Sequence, residues 1–236
     1  MNDLDLSSDG DIALVRICRP PHNFFDAGLV AAIADHIERV ATTHRVVVLH
    51  SEGRNFCAGA DLRSASTSGF SQSGTHLYDE ALRLFRQPLP IVAAIQGKAV
   101  GGGVGLALAA DVRVGTPDTK FDVPFAKIGT HQGFGLSVTL PEAVGAPTAA
   151  DMLYTGRVVA GEEAARLGLL QRMVPAEQLL DAARAVARTI AEARPAAISS
   201  IRSTLRGARI DDLIAAMAHE RREQERLAAQ RPLESR

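Results

Sequence analysis

Asn55-Phe-Cys-Ala-Gly-Ala60-Asp61-Leu-Arg63, followed by Ile95-Gln-Gly97-Lys-Ala-Val-Gly101-Gly102-Gly103-Val-Gly105-Leu-Ala107, is the part of this chain that decides its fold. Each stretch follows a run of apolar residues, Arg45–His50 (RVVVLH) and Pro90–Ile95 (PIVAAI), of the kind that forms a strand buried on both faces. The first stretch is a loop of small residues, and the second places three glycines at the start of a helix. Small residues let a ligand approach the backbone closely. The first N–H groups of a helix have no internal acceptor and sit at its positive dipole end. Two such loops can present one N–H apiece to a single oxygen. A glycine run alone more often serves only close helix packing; the order and spacing of the pair favour a site.

Outward from these loops, Asp11–Cys18 (DIALVRIC) reads as a strand ended by Arg19-Pro20-Pro21. Asp26 is placed to cap a helix with the apolar stripe Leu29, Ile33, Ile37 and Val40. Residues 63–76, with five serines, two threonines and two glycines, read as a mobile connection. Leu77–Arg86 reads as helix, Pro90–Ile95 as a third buried strand, Gly101–Ala110 as helix and Asp111–Val114 as a fourth strand. This alternation predicts right-handed βαβ units. From Pro141 onward the pattern is helical, over 147–154, 161–167, 175–193, 196–206 and 211–229. An α/β core over 1–195 and a C-terminal helical region over 196–236 follow, with no linker between them.

With 236 residues, 46% of them hydrophobic, the chain can bury a sizeable core. A net charge of -1 supplies no field for nucleic acid or an anionic membrane. No apolar run reaches the ~18 residues of a transmembrane helix. The acidic, polar Met1–Gly10 is the opposite of a signal or transit peptide, so a cytoplasmic location is expected. Cys18 and Cys57 are too few for a disulfide framework or a zinc site. A dinucleotide fingerprint fails at Leu106, and a nucleophile elbow at Gly69-Phe-Ser71-Gln-Ser73 fails at its last residue. His-Glu-x-x-His and Cys-x-x-Cys are absent.

Phe56-Cys-Ala-Gly-Ala60-Asp61-Leu62, with Pro90–Gly97 running into Gly101-Gly102-Gly103, resembles the double signature of the crotonase (enoyl-CoA hydratase/isomerase) superfamily. Further matching stretches follow in the family's order: Ala110-Asp111-Val112-Arg113 with Phe121, Ile128-Gly129 with Gly133, and Thr155-Gly156 through Ala164–Leu170. The resemblance implies an α/β fold, a crotonase-like spiral of ββα units with a helical C-terminal trimerisation region. It implies an acyl-CoA substrate whose thioester carbonyl is bound, and its enolate stabilised, by the N–H groups of Ala60 and Gly102. It places the backbone of Cys57 and Ala58 against the CoA, Arg63 near a phosphate, and Asp61 beside the first donor. Gly103, Gly105, Phe125, Gln132 and Gly133 are the other substrate-binding positions it suggests. No cofactor beyond the CoA moiety is implied, and no nucleic-acid or membrane partner. A homotrimer or dimer of trimers is expected.

The departures concern chemistry. Hydratases of this family carry two glutamates that activate water, and the matching positions here are Gly105 and Phe125. General acid–base catalysis contributes ~10²–10⁴-fold per group, so ordinary enoyl-CoA hydration should be lost. His131 is the best available replacement base, although a loop histidine that is merely hydrogen-bonded fits as well. Phe125 and Gly105 together replace polar volume by a ring and a gap, which suits an apolar or bulky acyl group. Two functional readings stay open: an enzyme that works through the enolate site without carboxylates, or a non-catalytic acyl-CoA-binding subunit. The run His219–Arg226, with Arg221 and Glu225 paired at i,i+4, reads as a solvated helix face.

Overall fold

The computed structural model describes residues 3–60 and 74–230; Asp61, Arg63 and most of the serine-rich segment lie outside the described residues. A hairpin of β1 (Leu4–Asp9) and β2 (Ile12–Ile17) is followed by α1 (Ala27–Val40), β3 (Val46–Ser51), α2 (Leu77–Phe85), β4 (Ile91–Ile95) and β5 (Lys98–Val100). Then come α3 (Gly102–Ala109), β6 (Val112–Gly115), β7 (Lys120–Asp122), α4 (Leu136–Val144) and α5 (Ala146–Thr155). The chain continues through β8 (Val159–Ala160), α6 (Gly161–Leu167), β9 (Arg172–Met173), α7 (Leu179–Glu192) and α8 (Pro195–Gln230).

The main sheet has the order β1-β2-β3-β4-β6-β9, parallel throughout except for β1. A small second sheet, β5-β7-β8, is made of strands interspersed with those of the main sheet along the chain. The central runs Val46–Leu49 of β3 and Ile91–Ile95 of β4 are continuously apolar because both faces of the sheet are covered there. Val47 and Leu49 join α1, α2 and α3 in the larger core, while Val46 and Val48 meet Leu179, Ala183 and Val186 of α7. Asp26 caps α1 as its position suggests, its Oδ1 accepting from the Leu29 N–H at 2.8 Å.

Three features depart from the sequence expectations. The N-terminal segment forms an exposed edge strand, β1, whose polar residues carry no alternation to read. The two helices expected over 196–206 and 211–229 are one helix, α8. Gly207, between them, costs only about 1 kcal/mol in a helix interior, too little to break a helix anchored on both sides of it. The run His219–Arg226 is not simply solvated: Arg221 and Glu225 are exposed partners, but Glu220 is fully buried. Its two carboxylate oxygens accept from the N–H groups of Gly135 and Ser137, each at 2.9 Å, and so cap the start of α4.

A cluster of arginines joins α8 to the sheet. Asp111 accepts from the Ile91 N–H at 2.8 Å through Oδ2, while its Oδ1 meets Arg202 at 3.1 Å and Arg206 at 2.8 Å. Arg206 also donates to the carbonyls of Phe85 and Ala109, Arg113 to those of Ala110 and Leu169, and Arg202 to that of Gln87. These carbonyls lie at or within two residues of the C-terminal ends of α2, α3 and α6, each of which carries roughly half a negative charge. Burial pushes the pKa of Arg113 and Arg206 down to about 10, which leaves both charged at neutral pH.

Two measurements test this account of stability. Asp111→Ala strands buried guanidinium groups and should cost about 3–5 kcal/mol in denaturant titrations, whereas Glu225→Ala breaks an exposed pair and should cost at most about 0.5 kcal/mol. His50, at the end of β3, is held neutral by burial first and then by Arg16 and Arg184, its pKa lowered to about 4. The unfolded chain takes up that proton near pH 6.5 and the folded chain does not, so stability is full above pH 6.5 and falls as pH drops toward 4. Wild type should lose up to about 3 kcal/mol more than His50→Gln over that window.

Candidate active site

The loops after β3 and β4 leave the sheet at the same end, the carboxyl ends of parallel strands, where α/β proteins most often build their sites. Residues 55–60 are woven between two neighbours. On one side, the Phe56 N–H donates to Gln96 at 2.9 Å, the Cys57 N–H donates to Lys98 at 3.1 Å, and Val100 donates back to Cys57 at 2.9 Å. On the other, Ala58 donates to His22 and Phe25 donates to Gly59, both at 2.9 Å. The Asn23 side chain donates to the Asn55 carbonyl at 2.7 Å, and Asn55 Oδ1 accepts from the Lys98 N–H at 3.1 Å. The loop's conformation is therefore set by backbone pairing at nearly every residue.

Glycine is required where the loops meet. A Cβ at Gly103 would overlap the Cys57 carbonyl, and one at Gly102 would stand 2.5 Å from Cζ of Phe25. The result is a cavity of about 320 Å³ between the loops, α2, α8 and the 124–134 segment. Its walls are largely apolar, with Phe25, Val100, Phe125 and Phe134 prominent. Ala58, Gly59, Ala60 and Gly102 bring backbone to its surface. Neither the Ala60 N–H nor the Gly102 N–H has an acceptor among the described residues.

Among the described residues, the polar side chains on the cavity are Tyr78, Thr130 and Gln224, and none of the lining residues is acidic. The Tyr78 hydroxyl donates to Gln224 Oε1 at 2.6 Å, and Gln224 Nε2 donates to the His131 carbonyl at 2.8 Å. Gly133 makes room for this pair, since a Cβ there would overlap the phenol oxygen. Burial, and then the nearby Glu220, raise the Tyr78 pKa above the usual phenol value, so the group is a neutral hydroxyl.

Of the positions expected from sequence, Ala58, Ala60, Gly102, Phe125 and Gly133 line this cavity together. Cys57 points inward, its N–H and C=O both occupied, its thiol pushed up to about 12 by burial. Gly103 is hidden against it. Gly105 opens no gap: a Cβ there would stand 2.7 Å from the Phe134 side chain, which fills the space. His131 and Gln132 line a neighbouring cavity on the far side of Phe125 and Thr130. Tyr78 and Gln224 are site residues that the sequence reading does not name. Gln224 carries a signal, because Leu213, Met217, Glu220 and Gln224 repeat at helical spacing along one face of α8. Tyr78 shares its helix face with buried Ala81 and Phe85 and reads as packing.

Comparisons with known proteins give the chain's family and fold. Residues 7–235 match the family model described as enoyl-CoA hydratase/isomerase. The chain is 30% identical over 208 residues to a probable enoyl-CoA hydratase of Bacillus subtilis, covering 85% of this chain and 81% of that one. It is 34% identical over 201 residues to (E)-benzylidenesuccinyl-CoA hydratase of Thauera aromatica, covering 83% of this chain and 78% of the relative. The crystal structure of an enoyl-CoA hydratase/isomerase from Pseudoalteromonas atlantica superposes with a TM-score of 0.90 at 28% identity, over 97% of this chain and 92% of that one. The signature loops, the sheet that carries them and the matched family model give one conclusion: this chain belongs to the enoyl-CoA hydratase/isomerase family.

Proposed function

We propose that this chain is an acyl-CoA-processing enzyme that holds a thioester carbonyl oxygen between the N–H groups of Ala60 and Gly102 and stabilises the enolate formed from it. The observation that carries this reading is the pair of backbone donors, without acceptors among the described residues, on one apolar cavity. Fixed donors in a water-poor site need no reorganisation as charge develops on the oxygen, which is why each is worth ~2.7–4 kcal/mol in comparable sites. The Gly102 N–H also opens α3 and carries the favourable end of its dipole.

A carboxylate pair that activates water has no counterpart at positions 105 and 125. The reading therefore favours reactions that generate the enolate directly, such as decarboxylation, in which departing CO₂ leaves its electron pair on the α-carbon. Hydration or isomerisation needs a base, and His131 is the candidate. Its Nδ1 donates to the Gln132 carbonyl at 2.8 Å, which leaves Nε2 as the basic nitrogen, but it stands across Phe125 from the two donors. A cavity wall without an acidic side chain among the described residues also fits a second reading, an acyl-CoA-binding subunit without turnover.

Mass-spectrometric product analysis with crotonyl-, malonyl-type and cyclic ketoacyl-CoA thioesters separates the two. Conversion of one thioester supports the enzyme, while tight binding of thioesters with no product from any of them supports the binding subunit. With a converted thioester in hand, Ala60→Pro removes one donor and should lower kcat/KM about 10²–10³-fold, with Ala60→Gly close to wild type. Equal rates for Ala60→Pro and wild type would remove Ala60 from the site. His131→Ala should leave decarboxylation unchanged and lower any hydration or isomerisation by ~10²-fold or more.

A further inference from the structure

Behind Phe125 and Thr130 lies a second cavity, also of about 320 Å³. Ala149, Ala150, Leu153 and Leu227 form its apolar wall, and His131 and Gln132 stand on its polar side. Phe125 and Thr130 line both cavities. The Thr130 N–H donates to the Phe125 carbonyl at 3.0 Å, so the partition is one short segment hydrogen-bonded to itself. Helix α8 runs past both spaces, with Gln224 on the first and Leu227 on the second, about 4.5 Å further along the axis. Each cavity alone is at the small end of the ~300–1,000 Å³ range of ligand sites, and joined they lie well inside it.

The Phe125 ring is the movable part of this partition. On the donor side the ring packs over Gly101, where a Cβ would stand 3.6 Å from Cζ, so this neighbour presents backbone and no side chain to it. Rotation about χ1 between staggered wells carries a phenyl ring out of such a position without moving the backbone. The backbone beneath it is held independently, by the Thr130 hydrogen bond and by Gln224 on the His131 carbonyl.

Resting on the acyl-CoA reading above, we propose that Phe125 divides one acyl site into two compartments, and that the second receives the far end of a medium-length acyl group against Ala149, Ala150, Leu153 and Leu227. Phe125 is then a specificity-determining residue. A short acyl group fits in the first compartment with the ring in place, and a longer one displaces the ring and continues along α8.

The test uses calorimetric Kd values for saturated butyryl-CoA and octanoyl-CoA, which lack the double bond. Complete burial gives about fourfold per methylene, so the four extra methylenes set an upper limit of about 200-fold, and wild type should favour octanoyl-CoA by at least about tenfold. Ala150→Phe fills the second compartment from its far wall. It should cut the octanoyl preference below about threefold while leaving butyryl-CoA within about twofold of wild type. Phe125→Ala joins the compartments and should raise the preference by about threefold or more. That variant decides the question alone if Ala150→Phe does not fold. An octanoyl preference that stays the same in wild type and both variants overturns the partition and leaves the acyl-CoA reading standing. Failure of wild type to bind either thioester overturns the acyl-CoA reading itself.

Discussion

The site depends on how closely the first turn of α3 approaches the Cys57 carbonyl. That contact admits no Cβ at Gly103, and it presses the start of the helix against the loop that follows β3. Because Cys57 also pairs with Lys98 and Val100 through its own N–H and C=O, the loop, β5 and α3 are locked to one another by backbone atoms. Ala60 and Gly102 inherit their positions from this lock. Side-chain changes nearby can alter the cavity's walls without moving the two N–H groups. The walls of the cavity can therefore vary while the backbone at its centre is kept.

The opposite end of the sheet has a different problem, the convergence of three helix C-termini. The closing carbonyls of α2, α3 and α6 lie near each other and beside Asp111, and uncompensated they would repel. Arg113, Arg202 and Arg206 answer them. A count of formal charges alone would give this cluster an excess of cations; including the helix ends brings it near balance, so it is read as structural. Arg202 and Arg206 come from α8, which ties the C-terminal helix to the sheet far from the cavity that the same helix helps to close.

Much of the fold could be read from sequence because β3 and β4 are buried on both faces, which leaves an unbroken apolar run, while β2 and β6 are apolar but for Arg16 and Arg113. The strands of two or three residues, β5 and β7 to β9, left no such run; their neighbours hold them in place. In the cavity, Ala60 and Gly102 were singled out in the sequence by their small size, and both lie on its wall. Gly103 and Gly105 show the limit of that argument. A glycine that admits substrate and a glycine that admits Cys57 or Phe134 are the same letter. Tyr78 and Gln224 meet only through tertiary packing, across 146 residues of chain, and no local pattern announces such a pair.

Helix α8 supplies Gln224 to the cavity and, through Glu220, the cap of α4. It is also the last described element to leave the ribosome. The sheet, both glycine loops and the cysteine–glycine lock can assemble during synthesis, but the cavity is unfinished until this helix docks. Without the docked helix the cavity lacks one wall. Any ligand that touches Gln224 or Leu227 binds the docked form alone and draws the helix onto the core, so that late maturation of the fold and occupancy of the site are one linked equilibrium.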